Sequence, residues 1–202
     1  TGRSYVGGIS GDTYVYSYYA YVDSSEVYGS GNYIGGISGH NNSLKYSKII
    51  NSKIEVNNVD SVYIGGFSGQ SESTNSEIEV INTKIITKGN NVGGLAGKTV
   101  NGGSIIQSYA KDCYVEGNNS IGGLIGIAEE GKTQNVYSNS EVVALGSNVG
   151  GIVGNIETSY AAQSFRMNNT NVAGSKITGK NNIGGLIGKA GKISYINAQT
   201  SN

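Results

Sequence analysis

The chain has no proline and no tryptophan, a single cysteine (Cys113), a single histidine (His40) and a single methionine among its 202 residues. One cysteine excludes an internal disulfide, so pairing says nothing of redox compartment. One histidine, with no second His or Cys beside it, leaves no zinc set to assemble, and metal ligation is not expected. Asp is too sparse for repeat-loop calcium sites. Arginine occurs only at Arg3 and Arg166, and 14 basic residues balance 14 acidic ones. Without a concentrated positive face a nucleic-acid partner is not expected. No apolar run approaches the ~18 residues that a spanning helix needs, so no membrane insertion is expected. No signal peptide is visible. The chain opens on Thr rather than Met, which suggests a piece excised or processed from a longer protein.

What is abundant is glycine, 33 residues. With no proline and no strict triplet, this is neither collagen nor Pro-rich disorder. The apolar content comes from Val, Ile and Tyr, which suit strands, and Asn, Gly and Ser supply turn chemistry. The glycines are ordered. YVGGISG at 5–11 returns as YIGGISG (33–39), YIGGFSG (63–69), NVGGLAG (91–97), SIGGLIG (120–126), NVGGIVG (148–154) and NIGGLIG (182–188). The steps between first glycines are 28, 30, 28, 29, 28 and 34 residues. A second phrase keeps time with the first: SSEV (24–27), NSKI (51–54), NTKI (82–85), DCYV (112–115), NSEV (139–142), NTNV (169–172) and NAQT (197–200). Two phased phrases mark a repeat architecture.

Inside the second phrase the alternation is that of a strand, with side chains at i, i+2 and i+4 on one face. Val27, Ile54, Ile85, Val115, Val142 and Val172 are expected to stack inward as one core column. Glu26, Lys53, Lys84, Tyr114, Glu141, Asn171 and Gln199 are expected to face solvent. The glycine phrase breaks the alternation, since Val92 and Leu95 lie three apart. A helix would accommodate that spacing, but Gly-Gly within a helix costs roughly 2 kcal/mol relative to alanine. The phrase is instead expected to bend the chain through backbone angles open to glycine. The corner glycines are then Gly7 and Gly8, Gly35 and Gly36, Gly65 and Gly66, Gly93 and Gly94, Gly122 and Gly123, Gly150 and Gly151, and Gly184 and Gly185. Asn32, Asn90, Asn91, Asn118, Asn119, Asn148, Asn181 and Asn182 precede the pairs, where they tolerate left-handed turns and could form amide ladders.

One coil per repeat, each strand pairing with its copies above and below, gives an all-β fold: a parallel β-solenoid (β-helix) of about seven coils of ~28–30 residues. It forms a single repeat domain over 1–202. NNVDSV (57–62) and GSKITGKN (174–181) are expected to lengthen the second and sixth coils after the ladder strand. The first coil carries TYVYSYYAYV (13–22), whose Tyr14, Tyr16 and Tyr18 form a possible aromatic, ligand-facing strip.

The phrases NVGGLAG, SIGGLIG, NVGGIVG and NIGGLIG, with SIIQSYAKDCYVEGN between two of them, resemble the GLUG-motif repeats of bacterial surface and secreted proteins. The resemblance covers essentially the whole chain. It implies a β-rich extracellular segment, often a stalk or passenger region, and it carries over no catalytic residue. The HExxH helix of the metallopeptidase domains found in some members is missing. The ISG and FSG endings of the second and third phrases depart mildly from the usual LxG.

The remaining chemistry is sparse. GIAEEGKT, Gly126 to Thr133, fits the GxxxxGK[ST] phosphate loop. That loop must open a helix, however, and TQNVYSNSEVV after it has strand character, while Glu129 and Glu130 bring the wrong charge. His40 is expected as a solvated loop residue. Cys113 stands in a small inward slot of the second phrase and is expected to behave as a buried apolar group. Glu77 with Glu79, and Glu129 with Glu130, are carboxylate pairs without the partners a polysaccharide-cleaving site needs. The sequons at Asn41 and Asn168 are incidental to Asn richness.

The expectation is therefore a non-enzymatic protein without cofactors. It is a stiff structural or adhesive segment of a secreted or cell-surface protein, whose partner is a host protein or glycan. Two alternatives are a fibre subunit that self-associates end to end through uncapped coils, and a glycan- or ice-binding surface.

Overall fold

The structure, a computed structural model, describes residues 2–158 and 164–201, with the side chains of Tyr14 and Val15 outside it. Every described element is a strand, and every strand pairing is parallel. Seven strands form one sheet, one from each glycine phrase: Val6–Gly7, Ile34–Gly35, Val62–Gly65, Asn90–Gly93, Ile121–Gly122, Ser147–Gly150 and Asn181–Gly184. The other eighteen strands join in a second network that wraps the rest of each coil. The chain is thus a parallel β-solenoid of about seven turns. At the usual strand spacing it rises roughly 30 Å.

The core is a set of aliphatic columns along the axis. Ile34, Ile64, Val92, Ile121 and Val149 make one, and Ile37, Phe67, Leu95, Leu124 and Ile152 make the next; all are buried. Val92 and Leu95 both point inward, so the glycine phrase does bend the chain. Its cause differs from the expectation. None of the paired glycines takes a left-handed φ. The left-handed residue lies two positions ahead of the first glycine: Tyr5, Tyr33, Tyr63, Asn91, Ser120, Asn148 and Asn182, with φ between 52° and 66°. The glycines are required by proximity instead. A Cβ on Gly94 would overlap the carbonyl oxygen of Gly123 in the next coil, and one on Gly66 would overlap that of Gly94.

Two further columns of left-handed residues turn the coil. One holds Tyr19, Tyr46, Glu77, Gln107, Asn135 and Asn169; the other holds Ser24, Asn51, Asn82 and Asp112. Asparagine tolerates this conformation because its short side chain bonds locally. Amide ladders follow, from Asn182 to Asn148 at 2.8 Å, Asn82 to Asn51 at 2.8 Å and Asn169 to Asn135 at 2.9 Å, and beside the first corner Asn119 Nδ2 donates to Asn90 Oδ1 at 3.0 Å.

The second phrase stacks as expected over five coils: Val27 on Ile54, Ile85, Val115 and Val142. The sixth member needs correction. Val142 pairs with Ile177, not Val172, and Glu141 with Lys176, not Asn171. Val172 pairs instead with Ser138, and Asn171 with Tyr137. SKI at 175–177 is therefore the true ladder strand of the sixth coil, not an insertion following it. NTNV (169–172) and NAQT (197–200) pair with each other on a different side of the coil. The second coil does widen after its ladder strand, at 57–61 between Lys53–Val56 and Val62–Gly65.

Candidate recognition surface

The face that follows the third glycine of each phrase carries a connected set of polar contacts. Asp12, His40, Gln70, Lys98, Ile127, Asn155 and Lys189 stand in one register column. His40 is not a solvated loop residue, as its sequence neighbours suggest. It lies in the strand Ser38–Ile50 with its side chain 5% exposed. Its Nδ1 is 2.7 Å from Asp12 Oδ1 and its Nε2 is 3.2 Å from Glu72 Oε1, so one imidazole joins carboxylates from the coils on either side. The period produces this contact: Asp12 and His40 both directly follow the third glycine of their phrases.

Beside this column runs a ladder of tyrosine rings at the first corner. Tyr5 stacks on Tyr33 at 4.7 Å between centroids, and Tyr33 lies 5.2 Å from Tyr63. The ladder is closed at its far end, where Lys98 Nζ sits 5.1 Å from the Tyr63 ring centre and bonds Glu129 at 2.6 Å. Burial alone would lower the Lys98 pKa; the hydrogen bond to Glu129 and the neighbouring Tyr63 outweigh it and hold the pKa above its usual value. Burial and the Tyr5 and Tyr63 rings raise the Tyr33 pKa.

At the second corner Tyr19 stacks on Tyr46 at 5.3 Å, with Tyr18 6.5 Å from Tyr19. Tyr46 adjoins an open groove of about 350 Å³ lined by Tyr19, Tyr46, Ser47, Lys48, Glu77 and Glu79. Lys48 pairs with Glu79 at 3.1 Å. On the other side of Glu79, Tyr109 has its pKa pushed up to about 12 by burial and by its hydrogen bond to Glu79. Of the tyrosines expected to face a ligand, Tyr16 and Tyr18 are exposed and Tyr18 joins this cluster, while the Tyr14 side chain lies outside the described structure. Sequence reasoning singled out the alternating strand and missed Tyr19 and Tyr46. The signal was their separation by one coil, visible only once the corner is known to fall there.

A second groove, of about 380 Å³, is lined by Lys132, Gln134, Arg166, Asn168, Ser194 and Tyr195. Lys132 donates to Gln134 at 2.9 Å and Arg166 to Ser194 at 3.3 Å. On the ladder face, Lys53 pairs with Glu55 at 2.6 Å and Lys176 with Glu141 at 2.7 Å, an alternating-sign surface.

The other sequence candidates have structural places. Gly126 sits in the strand Ile125–Ala128 and Thr133 in the strand Gly131–Ala144, so no helix opens at the phosphate-loop pattern, and Glu129 is engaged by Lys98. Cys113 is buried in its ladder slot, and burial pushes its pKa up to about 11, away from nucleophilic use. Asn41 is buried and donates to Asn75 at 2.8 Å, which excludes glycosylation of the folded chain there. Among the described residues no cluster of three or more His, Cys, Asp or Glu side chains could hold a metal ion. Nor, among the described residues, is any helix long and apolar enough to cross a membrane.

No family model, no curated protein and no solved structure matches this chain.

Proposed function

We propose that the chain is a non-enzymatic structural and adhesive segment, a stiff rod whose outward columns present a repeated surface to a partner. The observation that carries the reading is the unbroken stacking of glycine phrases and corner columns from Tyr5 to Asn182. Each coil buries its apolar face against its neighbours, so the fold extends length and lateral surface with every coil added. The conspicuous polar clusters, around His40 and Lys98, are bound up in bracing one coil on the next. The likeness to GLUG repeats supports a bacterial surface or secreted protein as the setting, with a host protein or glycan as partner.

A second reading is favoured by the end coils. Ile9 in the first and Ile183 and Ile196 in the last occupy columns buried elsewhere, yet are 56%, 50% and 51% exposed. A coil added in register, from the same polypeptide or from a second copy, would cover them. Electron microscopy of the purified chain, with light scattering across a concentration series, separates the readings. Short monodisperse rods are expected from a rod segment. Fibres one coil wide that lengthen with concentration would make this a self-assembling subunit, and round particles would overturn both.

A further inference from the structure

We propose that the groove at the second corner, formed by Tyr19, Tyr46, Lys48, Glu77 and Glu79, binds a neutral polysaccharide. This rests on the reading of the rod's lateral faces as recognition surface and names the ligand class of one of them.

The argument begins with the backbone. The corner demands a left-handed residue, and the fifth and sixth coils meet the demand with Asn135 and Asn169, which bond each other through their amides. The first three coils instead place Tyr19, Tyr46 and Glu77 there, at φ 57°, 51° and 56°. A side chain with a bulky Cβ substituent is disfavoured in this conformation, by about 1–2 kcal/mol per residue. Asparagine would satisfy the fold, so folding does not account for two tyrosines and a glutamate in succession. The tyrosines at the first corner differ, because their stack is covered by Lys98 at one end and touched edge-on by His40 at the other. Tyr19 remains 75% exposed and Tyr46 45% exposed, and among the described residues no cation covers either ring.

The polar lining narrows the ligand. Lys48 is matched by Glu79, while Glu77 has no cationic partner among the described residues, so the groove carries a net negative charge. Acidic polymers are disfavoured. The C–H faces of a pyranose ring suit a tyrosine face, and carboxylates accept hydrogen bonds from sugar hydroxyls with charge-assisted strength. The groove's volume is within the range of small-molecule clefts, but it lies open on the side of the rod, which lets a chain pass through instead of requiring a free end.

Affinity electrophoresis in native gels containing hydroxyethylcellulose, galactomannan or alginate tests this. The wild-type chain should be retarded by at least one of the two neutral polymers and not by alginate. Tyr19→Asn with Tyr46→Asn should weaken that retardation at least tenfold while the melting temperature holds, because asparagine already serves this corner elsewhere. Tyr33→Asn, at the other corner, should leave it unchanged. No retardation by either neutral polymer, retardation by alginate alone, or equal retardation of the double variant would overturn the proposal. Rods that are well formed in the microscope but unretarded sink the glycan site and leave the structural reading standing.

Discussion

At the scale of single residues, glycine here answers to space and asparagine to angle. Gly94→Val puts a β-branched side chain into the carbonyl of Gly123, and the coils cannot separate without breaking the ladder on both sides. The expected loss is about 3 kcal/mol or more. Glu141→Lys loses an exposed ion pair with Lys176 and sets a second ammonium opposite it, a cost of about 1 kcal/mol at this exposure. Melting curves of the two variants check this, and coincident midpoints would end the steric account. Cys113 supplies a second test. Its folded-state pKa near 11 lies above that of an exposed thiol. The unfolded chain therefore releases this proton first as pH rises. The group's contribution to stability is intact below about pH 9 and is lost progressively toward pH 11. Cys113→Ser should flatten part of the fall in stability between those values, with the decline from about pH 10 to 12 left to groups such as Tyr109 and Tyr114, both raised to about 12. In the native protein, iodoacetamide at pH 8.5 should label Cys113 only after denaturant is added.

At the scale of the elements, the coils are braced by cross-coil side-chain contacts as well as by the backbone ladder. His40 spans three successive coils through Asp12 and Glu72. His40→Ala removes the ring that bridges the Asp12 and Glu72 carboxylates and leaves a void where a buried side chain stood. The expected cost is about 1–3 kcal/mol. Because neighbouring coils couple mainly to each other, amide exchange should quicken in the first three coils and remain slow around Val142 and Val149. Uniform acceleration along the chain would show that the cluster is no local brace. The same scale explains the misplaced ladder of the sixth coil. NTNV at 169–172 matches NSEV in residue type, but its strand pairs along Phe165–Ala173 with Gly131–Ser138, and the ladder place falls to Lys176–Thr178. The long step from Gly150 to Gly184 places extra residues ahead of Phe165, so counting forward from the preceding phrase misleads there.

At the scale of the whole molecule, stability is distributed along an axis and its end coils differ from its middle. Central columns are fully buried, while Ile9, Ile183 and Ile196 meet solvent. That asymmetry is the physical content of the concentration series: exposed terminal columns reward any added coil in register, so growth with concentration, or its absence, reads out whether this chain supplies that coil to itself. The period, the strand character and the solenoid were legible in the sequence, because repeated burial of the same faces forces the same residues back every ~28–30 positions. So were the inward columns of the first five coils and the buried place of Cys113. The reason for the glycines was not, since crowding by a neighbouring coil's carbonyl is a contact between residues about 29 apart. Nor was the enclosure of His40, or the meeting of Tyr19 with Tyr46. Local sequence sets which residues share a face of one strand, whereas the stacking register alone decides which of them touch across coils.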